Sequence, residues 1–393
     1  MDVSRALSTL QGSVDRATAS RAGVVGMVGT GALLCYGVYL VLAPGGKGRP
    51  SSLRLRGGGI SQKSGEAGAV QEAFDGYSAS YGKDSGKEAR TAPGTPDLVA
   101  TFYDMVTDFY EWGWGLSFHF SPLLPGRGNQ TSDVAHEVRI AAMLRLKPGM
   151  RCLDAGCGVG GPMRMIATFS GAEVVGVTIN EYQVQRANYH NAKMGLSEIC
   201  RAEQGNFLDL KQDDNSFDAA YAVEATCHAP KVEEAYSEIF RVLKPGSLFL
   251  TYEWVATPKF DPKNEEHVRV IDNIVYGNGL PAMRTAADCI KAAKSVGFEL
   301  IEDLDLANCS PVVKPWYLKL QRILSTIGIN KALVNFLQAF WLVPKGVRDV
   351  HEMLCSTAVS LVEGGRTGYF SPMHMIVLKK PENAVNPVKK ATA

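Results

Sequence analysis

The chain has 393 residues, a formal net charge of +1, 46% hydrophobic residues and 21% charged residues. This length allows two or three domains, and the composition is that of a globular protein. The charge balance gives no electrostatic reason to expect nucleic acid as a partner. None of the eight cysteines forms a CxxC pair and no His/Cys cluster has metal-ligand spacing. We therefore predict reduced thiols and no bound metal.

The first candidate element is an uncharged, mostly apolar stretch at residues 22–43. As a helix it would span roughly 33 Å, about the core of one bilayer, which predicts an N-terminal transmembrane helix. A cleaved signal peptide is the alternative, although its apolar region is normally shorter. More basic residues follow the stretch than precede it, which places the C-terminal side in the cytosol. We expect a protein of the endoplasmic reticulum membrane, with its catalytic domain facing the cytosol.

The rest of the chain divides by pattern. Residues 44–96 are rich in Gly, Ser, Lys and Arg, which is typical of a linker. Helical spacing of apolar residues begins near Leu98. Between residues 150 and 250, short apolar runs alternate with helical patterns, which predicts a parallel sheet with helices on both faces. The predicted strands contain residues 152–153, 174–177, 219–223 and 248–251. A second apolar helical region covers residues 312–343, and the last dozen residues form a polar tail.

A glycine-rich turn, LDAGCGVGG at residues 153–161, follows the first predicted strand. Its glycines let the backbone approach a ligand closely, and the GxGxG spacing differs from the GxGxxG of dinucleotide-binding proteins. Asp154 precedes the glycines, where its carboxylate faces the cationic end of S-adenosylmethionine. The alternative role for Asp154 is that of a turn or helix-capping residue. The motif predicts a class I methyltransferase sheet that binds S-adenosylmethionine.

Two later strand ends complete the predicted cofactor site. The second strand ends at Thr178 and Asn180, where a carboxylate usually binds the ribose; here Asn180 offers an amide, or else caps the next helix. Asn206 and Phe207 follow the third strand, where adenine would lie, although Phe207 fits the core nearly as well. The predicted cofactor-binding residues are Asp154, Gly156, Gly158, Gly160, Thr178, Asn180, Asn206 and Phe207.

Aromatic and acidic side chains concentrate in three segments: YEWGWGLSFHF at 110–120, YAVEATCH at 221–228 and TYEW at 251–254. Aromatic faces stabilise cations by about 2 kcal/mol each when desolvated, and carboxylates accept protons. Together they suit alkylation of a carbon–carbon double bond through a carbocation; simple core packing is the alternative. The predicted catalytic residues are Tyr110, Glu111, Glu224 and His228, and the predicted substrate-binding residues are Trp112, Trp114, Phe118, His119, Tyr252 and Trp254.

These segments resemble the sterol C24-methyltransferases. The resemblance rests on YEWGWG and SFHF at 110–120, LDAGCGVGGPMR at 153–164, NEYQVQRA at 180–187, YAVEATCHAP at 221–230 and YEWV at 252–255, and it runs from about Leu98 to Pro381. Leu116 departs from the polar residue often found at its position. The resemblance implies methyl transfer to C24 of a Δ24-sterol, a C25 cation, hydride migration from C24 and proton loss.

The resemblance also implies roles for parts of the chain. The segment 110–115 forms a wall of the sterol pocket, and Glu224 and His228 lie beside the reacting carbons. Residues 312–381 form a C-terminal, α-rich sterol methyltransferase region, after a cofactor-binding domain at 97–311, a linker at 44–96 and an N-terminal segment at 1–43; residues 382–393 form the tail. Seven apolar residues of that region have three alternative roles, which the sequence leaves open: they cover the sterol, contact the bilayer or pack in the core. These residues are Trp316, Leu320, Leu324, Ile327, Phe336, Phe340 and Trp341. Family members are often homo-oligomers, which the sequence neither favours nor opposes.

Three other functions remain as alternatives. A cyclopropane fatty acid synthase or a tocopherol methyltransferase would share the fold, but the segments 110–115 and 224–230 argue against both. A membrane-anchored sterol-binding protein without catalysis is a different class, and the intact glycine motif argues against it. The preferred sterol, a second methylation of a 24-methylene substrate and the final base are not determined by the sequence.

Overall fold

The computed structural model describes residues 59–60, 68–81 and 95–386. A mixed sheet forms the centre of the molecule, with strands in the order β3-β2-β1-β4-β5-β8-β7 and with β6 paired to β5 outside this path. The strands are β1 Arg151–Ala155, β2 Glu173–Thr178, β3 Cys200–Gln204, β4 Phe217–Val223, β5 Leu243–Ala256, β6 Arg284–Thr285, β7 Glu299–Asp305 and β8 Phe370–Lys379. The four strands predicted from apolar runs correspond to β1, β2, β4 and β5, and β2 and β4 each carry a single charged residue because helices cover both their faces.

The sheet is parallel from β3 to β5, as predicted, but its far edge is not. Strand β8 comes from the end of the chain and lies between β5 and β7, antiparallel to both. The prediction of a parallel sheet covered residues 150–250 and is confirmed there, whereas β7 and β8 lie outside that range; the residues of β8 have the same apolar character as a parallel strand and reveal no direction. The region after residue 312 thus contributes a strand to the sheet of the preceding domain.

Helices pack on both faces of the sheet and extend beyond its carboxyl edge. Their bounds are α1 Ala69–Ala79, α2 Thr95–Gly113, α3 Asn129–Met143, α4 Gly161–Ser170, α5 Glu181–Lys193, α6 Val232–Val242, α7 Glu265–Gly277, α8 Ala286–Val296, α9 Leu318–Ser325, α10 Ile327–Ala339 and α11 Val347–Thr367. Long α11 passes close to two neighbours: Gly277 at the end of α7 lies against Thr357, and Gly365 lies against Trp316. A side chain at either glycine would force the elements apart, so both glycines permit close packing at this edge.

Helix α1 lies within the segment predicted to be a linker. Val70 and Tyr77 are buried in a cluster with Phe102 of α2, and the Tyr77 hydroxyl donates to the carbonyl of Tyr276. The linker prediction did not anticipate this helix, because its apolar stripe is short, is interrupted by Gln71, Glu72 and Asp75, and lies between stretches rich in Gly and Ser. This segment is instead part of the folded unit.

The predicted anchor at residues 22–43 lies outside the described residues. Among the helices that the structure describes, none combines the length and the apolar character required to cross a bilayer.

Candidate active site

The glycine-rich turn joins the end of β1 to α4 at the carboxyl edge of the sheet. Gly156 and Gly158 have φ values of +96° and +52°, which favour glycine. A Cβ on Gly156 would collide with the side chain of Ala225 at the end of β4, so the two turns are in direct contact. Both glycines line a cavity of about 720 Å³. Gly160 is not on its wall; it caps α4, where a Cβ would lie 2.8 Å from the Met163 methyl group.

Asp154 ends β1 and lines the same cavity. Its Oδ2 accepts a hydrogen bond of 2.8 Å from the Tyr221 hydroxyl. Burial raises the pKa of Asp154 to about 7, because that single hydrogen bond does not offset the loss of water. A carboxyl with this environment favours a cationic ligand, whose charge would return its pKa toward the usual range. The cavity therefore fits the ammonium and sulfonium groups of S-adenosylmethionine.

The other predicted cofactor residues are distributed around this cavity. Thr178 and Phe207 line it. Asn206 lines a smaller pocket beside it, which shares Phe207 and His228 with the main cavity. Asn180 lines neither: its amide oxygen caps α5 by accepting from the backbone N–H of Gln183, 2.9 Å away, and its amide nitrogen donates to α2. The capping role weighed for Asn180 is the one its side chain performs.

A second, apolar cavity of about 980 Å³ adjoins the first. Five of the predicted aromatic residues line it: Tyr110, Trp112, Trp114, Phe118 and Trp254. Helices α9 and α11 supply aliphatic side chains, including Leu320 and Leu361, to its wall. The cavity is therefore suited to a large hydrophobic substrate with an aromatic wall on one side.

Glu224 lies where the two cavities meet, and it lines both of them together with Phe118 and His119. Its Oε1 accepts from the Phe120 backbone N–H and its Oε2 from Trp254 Nε1, each at 2.7 Å. Burial raises the pKa of Glu224 to about 8, although both hydrogen bonds and His119 oppose the shift. The backbone of Glu224 is left-handed, with φ +54°, a strained geometry that is typical of functional sites.

His119 carries a buried positive charge beside Glu224. Its Nδ1 donates to the Phe120 carbonyl at 2.8 Å and its Nε2 to a carboxylate oxygen of Glu137 at 2.9 Å. A carbonyl and a carboxylate only accept, so both ring nitrogens are protonated. Burial opposes this charge, but the Glu137 carboxylate outweighs it and raises the pKa of His119 to about 9.

His228 has the opposite character. Burial lowers its pKa to about 4, so the ring is neutral near pH 7. Its Nδ1 lies 3.2 Å from the Gly279 carbonyl and must donate to it, which leaves Nε2 to accept from the Tyr103 hydroxyl at 2.9 Å. The Nε2 lone pair of His228 is therefore occupied by the Tyr103 hydroxyl. Glu224, which lines both cavities, is the other predicted catalytic residue that can accept a proton there.

Comparisons with known proteins agree with this geometry. The profile of the family described as "Methyltransferase domain" matches residues 153–251, and that described as "Sterol methyltransferase C-terminal" matches residues 324–382. The chain is 50% identical over 357 residues to 24-methylenesterol C-methyltransferase 2 of Arabidopsis thaliana, covering 90% of this chain and 96% of that protein. The chain belongs to the sterol C24-methyltransferase family. It is an enzyme that depends on S-adenosylmethionine.

Further similarities show how widely the architecture is used. Squalene methyltransferase 1 of Botryococcus braunii is 47% identical over 350 residues, which cover 88% of this chain and 91% of that one. Among solved structures, the cyclopropane synthase MmaA2 of Mycobacterium tuberculosis has a TM-score of 0.61 at 18% identity, covering 73% of this chain and 98% of that chain. This structural likeness confirms the class I methyltransferase fold of the enzyme and nothing about its substrate.

The structure places Glu111 away from both cavities. Its carboxylate forms a buried ion pair with Arg186 of α5, with 2.6 Å between Oε2 and Nη2, and also contacts His190 at 3.0 Å. Burial opposes the charge of Glu111, but hydrogen bonds from His190 and Arg186 outweigh it and lower the pKa of this carboxyl. Successive residues of a helix point about 100° apart, so Glu111 can turn toward α5 while its neighbours Tyr110 and Trp112 line the apolar cavity. The structure therefore does not bring Glu111, predicted as a catalytic residue, to either cavity; its carboxylate fastens α2 to α5.

Tyr252 is also placed away from the cavity walls. Its ring stacks on His136 with 4.0 Å between centroids, and it is fully buried. Trp254, two residues further along β5, lines the apolar cavity and bonds Glu224. The structure therefore does not bring Tyr252, predicted as a substrate-binding residue, to either cavity; its ring packs in the core.

Several residues of the site carried no usable signal in the sequence. Tyr103 and Gln183 line the cofactor cavity, and His351 and Cys355 of α11 line the apolar cavity. Gln183 lies within the motif at 180–187 and Tyr103 on the helix that carries the aromatic segment, but neither sequence position indicates that the side chain faces a cavity. His351 and Cys355 lie on α11, distant from the motifs, so only folding brings them to the site. Within the described ranges, no group of three or more His, Cys, Asp or Glu side chains is arranged to bind a metal.

Proposed function

We propose that the enzyme transfers a methyl group from S-adenosylmethionine to the alkene of a sterol side chain, at C24 of a Δ24-sterol or at the methylene carbon of a 24-methylenesterol. The names of three relatives at 49–50% identity support the second substrate. The bound cofactor supplies an electrophilic methyl group. The two electrons of the alkene form the new carbon–carbon bond while the sulfur–methyl bond breaks, so S-adenosylhomocysteine leaves with the electrons of that bond and a carbocation remains in the side chain. Loss of a proton then restores a double bond.

The residues of the apolar cavity stabilise this cation. Burial raises the pKa of Tyr110, as does the nearby Glu224, so the phenol stays neutral and offers its ring face. Phe118 lies edge-on to Tyr110, with 5.3 Å between ring centroids, at the boundary of the two cavities. Glu224 balances the positive charge in its ionised form and is also positioned to accept the departing proton.

One observation carries the proposal: Glu224 lines both cavities, so a reacting alkene and a methyl donor would meet beside its carboxyl group. The test uses purified full-length enzyme with methyl-labelled S-adenosylmethionine and, separately, a Δ24-sterol and a 24-methylenesterol, followed by mass spectrometry of the products. Methylation of either sterol supports the proposal and identifies which alkene is used. Absence of label in both sterols, in a preparation that binds the cofactor, would overturn it.

An acyclic triterpene is the second candidate substrate, favoured by the 47% identity to a squalene methyltransferase. The sterol is preferred because Asn330 and His351 give the apolar cavity polar side chains able to bind a hydroxyl group, which squalene lacks. Squalene in the same assay distinguishes the two. A higher kcat/KM for squalene than for either sterol would reverse the assignment.

We also propose that residues 22–43 anchor the enzyme to the endoplasmic reticulum membrane. The support is their uncharged, apolar sequence and the basic residues that follow. A variant without residues 1–56 is expected to leave the membrane fraction while retaining turnover of detergent-solubilised sterol. Unchanged membrane association of that variant would contradict the anchor and would indicate a second attachment site.

A further inference from the structure

The last part of α10 and the turn after it expose large apolar side chains to solvent. Ile329, Phe336, Phe340 and Trp341 form this group, which we call the α10 surface. On the helix, residues 329, 336 and 340 recur at a spacing of seven and four, which places them on one face, while Val334 and Leu337 point into the core. Phe340 is 59% exposed and Trp341 is 87% exposed. Contiguous apolar residues at this level of exposure mark an interaction site.

The backbone holds Trp341 outward at some cost. Its φ is +54°, a left-handed conformation that is rare for a bulky side chain. The adjacent Phe340 packs against Phe336, with 4.6 Å between ring centroids, and Trp341 follows this pair directly in the chain. Tryptophan has an apolar body and a polar N–H, and it is enriched at membrane–water interfaces for that reason.

The segment that carries this surface is basic. Residues 306–348 contain no Asp or Glu, and they contain six basic residues: Lys314, Lys319, Arg322, Lys331, Lys345 and Arg348. Of these, Lys319 is turned inward to Asp133 and Trp114, Arg348 pairs with Glu352 of α11 at 3.1 Å, and the other four are exposed. A helix with exposed apolar residues and basic flanks is typical of proteins that lie on anionic lipid surfaces.

The α10 surface adjoins the apolar cavity. Ile323 and Leu324 of α9 and Ile327 of α10 line this cavity and are themselves partly exposed, so the cavity reaches the surface there. Ile327 and Ile329 both lie in the first turn of α10, but their side chains point to different sides of the helix. A lipid surface that reaches around this turn from Ile329 would contact the partly exposed Ile327 at the opening of the cavity.

We propose that the α10 surface docks the enzyme onto an anionic lipid bilayer, with Phe340 and Trp341 inserted among the lipids, and that sterol enters the apolar cavity from the bilayer at this point. The proposal rests on the proposed function for the identity of the substrate. It is separate from the N-terminal anchor, because α10 belongs to the folded domain. The anchor tethers the chain, whereas the α10 surface orients the cavity toward the lipid.

The test follows the fluorescence of Trp341 in full-length enzyme mixed with phosphatidylcholine–phosphatidylserine vesicles, with or without brominated acyl chains that quench nearby indoles. We expect bromine-dependent quenching in the wild type and its loss in Trp341→Phe. The matched control is Trp341→Phe combined with Phe169→Trp, because Phe169 of α4 is 60% exposed but lies outside the α10 surface. An indole at 169 should remain unquenched although the chain is still tethered to the vesicles.

Two results would overturn the proposal. One is equal quenching in wild type and Trp341→Phe on vesicles that carry the protein. The other is a dimer in solution that shields Trp341 without lipid and dissociates in Phe340→Ser, which would make the α10 surface a contact between two copies of the chain.

An activity comparison separates this proposal from the proposed function. Phe340→Ser with Trp341→Ser is expected to turn over vesicle-embedded sterol several-fold more slowly than the wild type, and cyclodextrin-delivered sterol at an unchanged rate. An equal rate with vesicle-embedded sterol would contradict entry of the substrate at the α10 surface. Trp341 quenching without methylation of any sterol in either presentation would instead refute the proposed function and leave the docking surface intact.

Discussion

Replacing Glu224 with Gln removes a charge at the junction of the two cavities while keeping the shape of the side chain. Both oxygens of Glu224 accept hydrogen bonds, from Phe120 N–H and Trp254 Nε1, and these bonds stabilise the ionised form without offsetting its burial. We expect kcat to fall roughly 10²–10⁴-fold, the usual contribution of a positioned acid or base. Cofactor affinity should change far less, because the carbocation exists only after methyl transfer has begun.

The same substitution should stabilise the folded protein at high pH. The pKa of Glu224 is raised from 4.5 to about 8, chiefly by burial, so the folded state holds its proton where the unfolded state releases it. The carboxyl therefore contributes no penalty below pH 4.5, and its cost grows by about 1.4 kcal/mol per pH unit until pH 8. The full cost is about 5 kcal/mol. In Glu224→Gln the amide nitrogen faces one of the two donors, Phe120 N–H or Trp254 Nε1, which costs about 1–3 kcal/mol. This cost is smaller than that of the buried carboxylate, so the variant should be more stable than wild type at pH 9.

The assays are pH profiles of kcat/KM for the sterol at saturating S-adenosylmethionine, where the bound cation keeps Asp154 ionised, and of the free energy of unfolding, each for wild type and Glu224→Gln. In the wild type kcat/KM should fall tenfold per unit below pH 8, and the variant should lack this limb. The control is Glu253→Gln on β5, a carboxyl that is 1% exposed but lines neither cavity, and the acid limb should persist in it. An acid limb that persists in Glu224→Gln, or a stability difference that does not grow with pH, would refute the reasoning.

Three other substitutions test the remaining assignments. Glu111→Gln should lower the free energy of unfolding by about 3–5 kcal/mol, because it leaves Arg186 buried without a counter-charge; kcat of the folded fraction should be near normal, and a loss of kcat without a loss of stability would contradict the structural role. Asp154→Asn should weaken the binding of S-adenosylmethionine, measured by calorimetry, and Tyr221→Phe, which removes only the hydroxyl group, should weaken it less. Equal affinity of Asp154→Asn and wild type would show that the cofactor does not bind beside Asp154. Phe118→Leu should slow turnover up to roughly thirtyfold, since about 2 kcal/mol of cation stabilisation is lost, with cofactor affinity retained; an unchanged rate would make this ring simple packing.

Local sequence motifs are sufficient to locate most of the cofactor site. The glycines after a buried strand specify a close backbone approach to a ligand, and Asp154, Gly156, Gly158, Thr178 and Phe207 do line one cavity. The motif cannot show which of its residues faces the ligand. Asn180 and Gly160 lie within such motifs, yet one caps α5 and the other caps α4.

The apolar cavity was less predictable, because its walls come from both ends of the domain. The aromatic segment at 110–120 predicted one wall, but a run of adjacent residues on a helix cannot all face the same way, and Glu111 turns to Arg186. The opposite wall comes from α9, α10 and α11, more than 200 residues later in the chain. His351 and Cys355 joined it with no local signal.

Periodicity and contiguous motifs were enough to specify the α/β class, the position of the cofactor loop and the family. The insertion of β8 between β5 and β7 emerges only in the folded chain, since strand direction leaves no mark on composition. The environment of Glu224 likewise depends on folding. The pKa of that carboxyl is raised because folding buries it between Phe120 and Trp254. The residues next to Glu224 in the sequence do not show that its side chain will be removed from water.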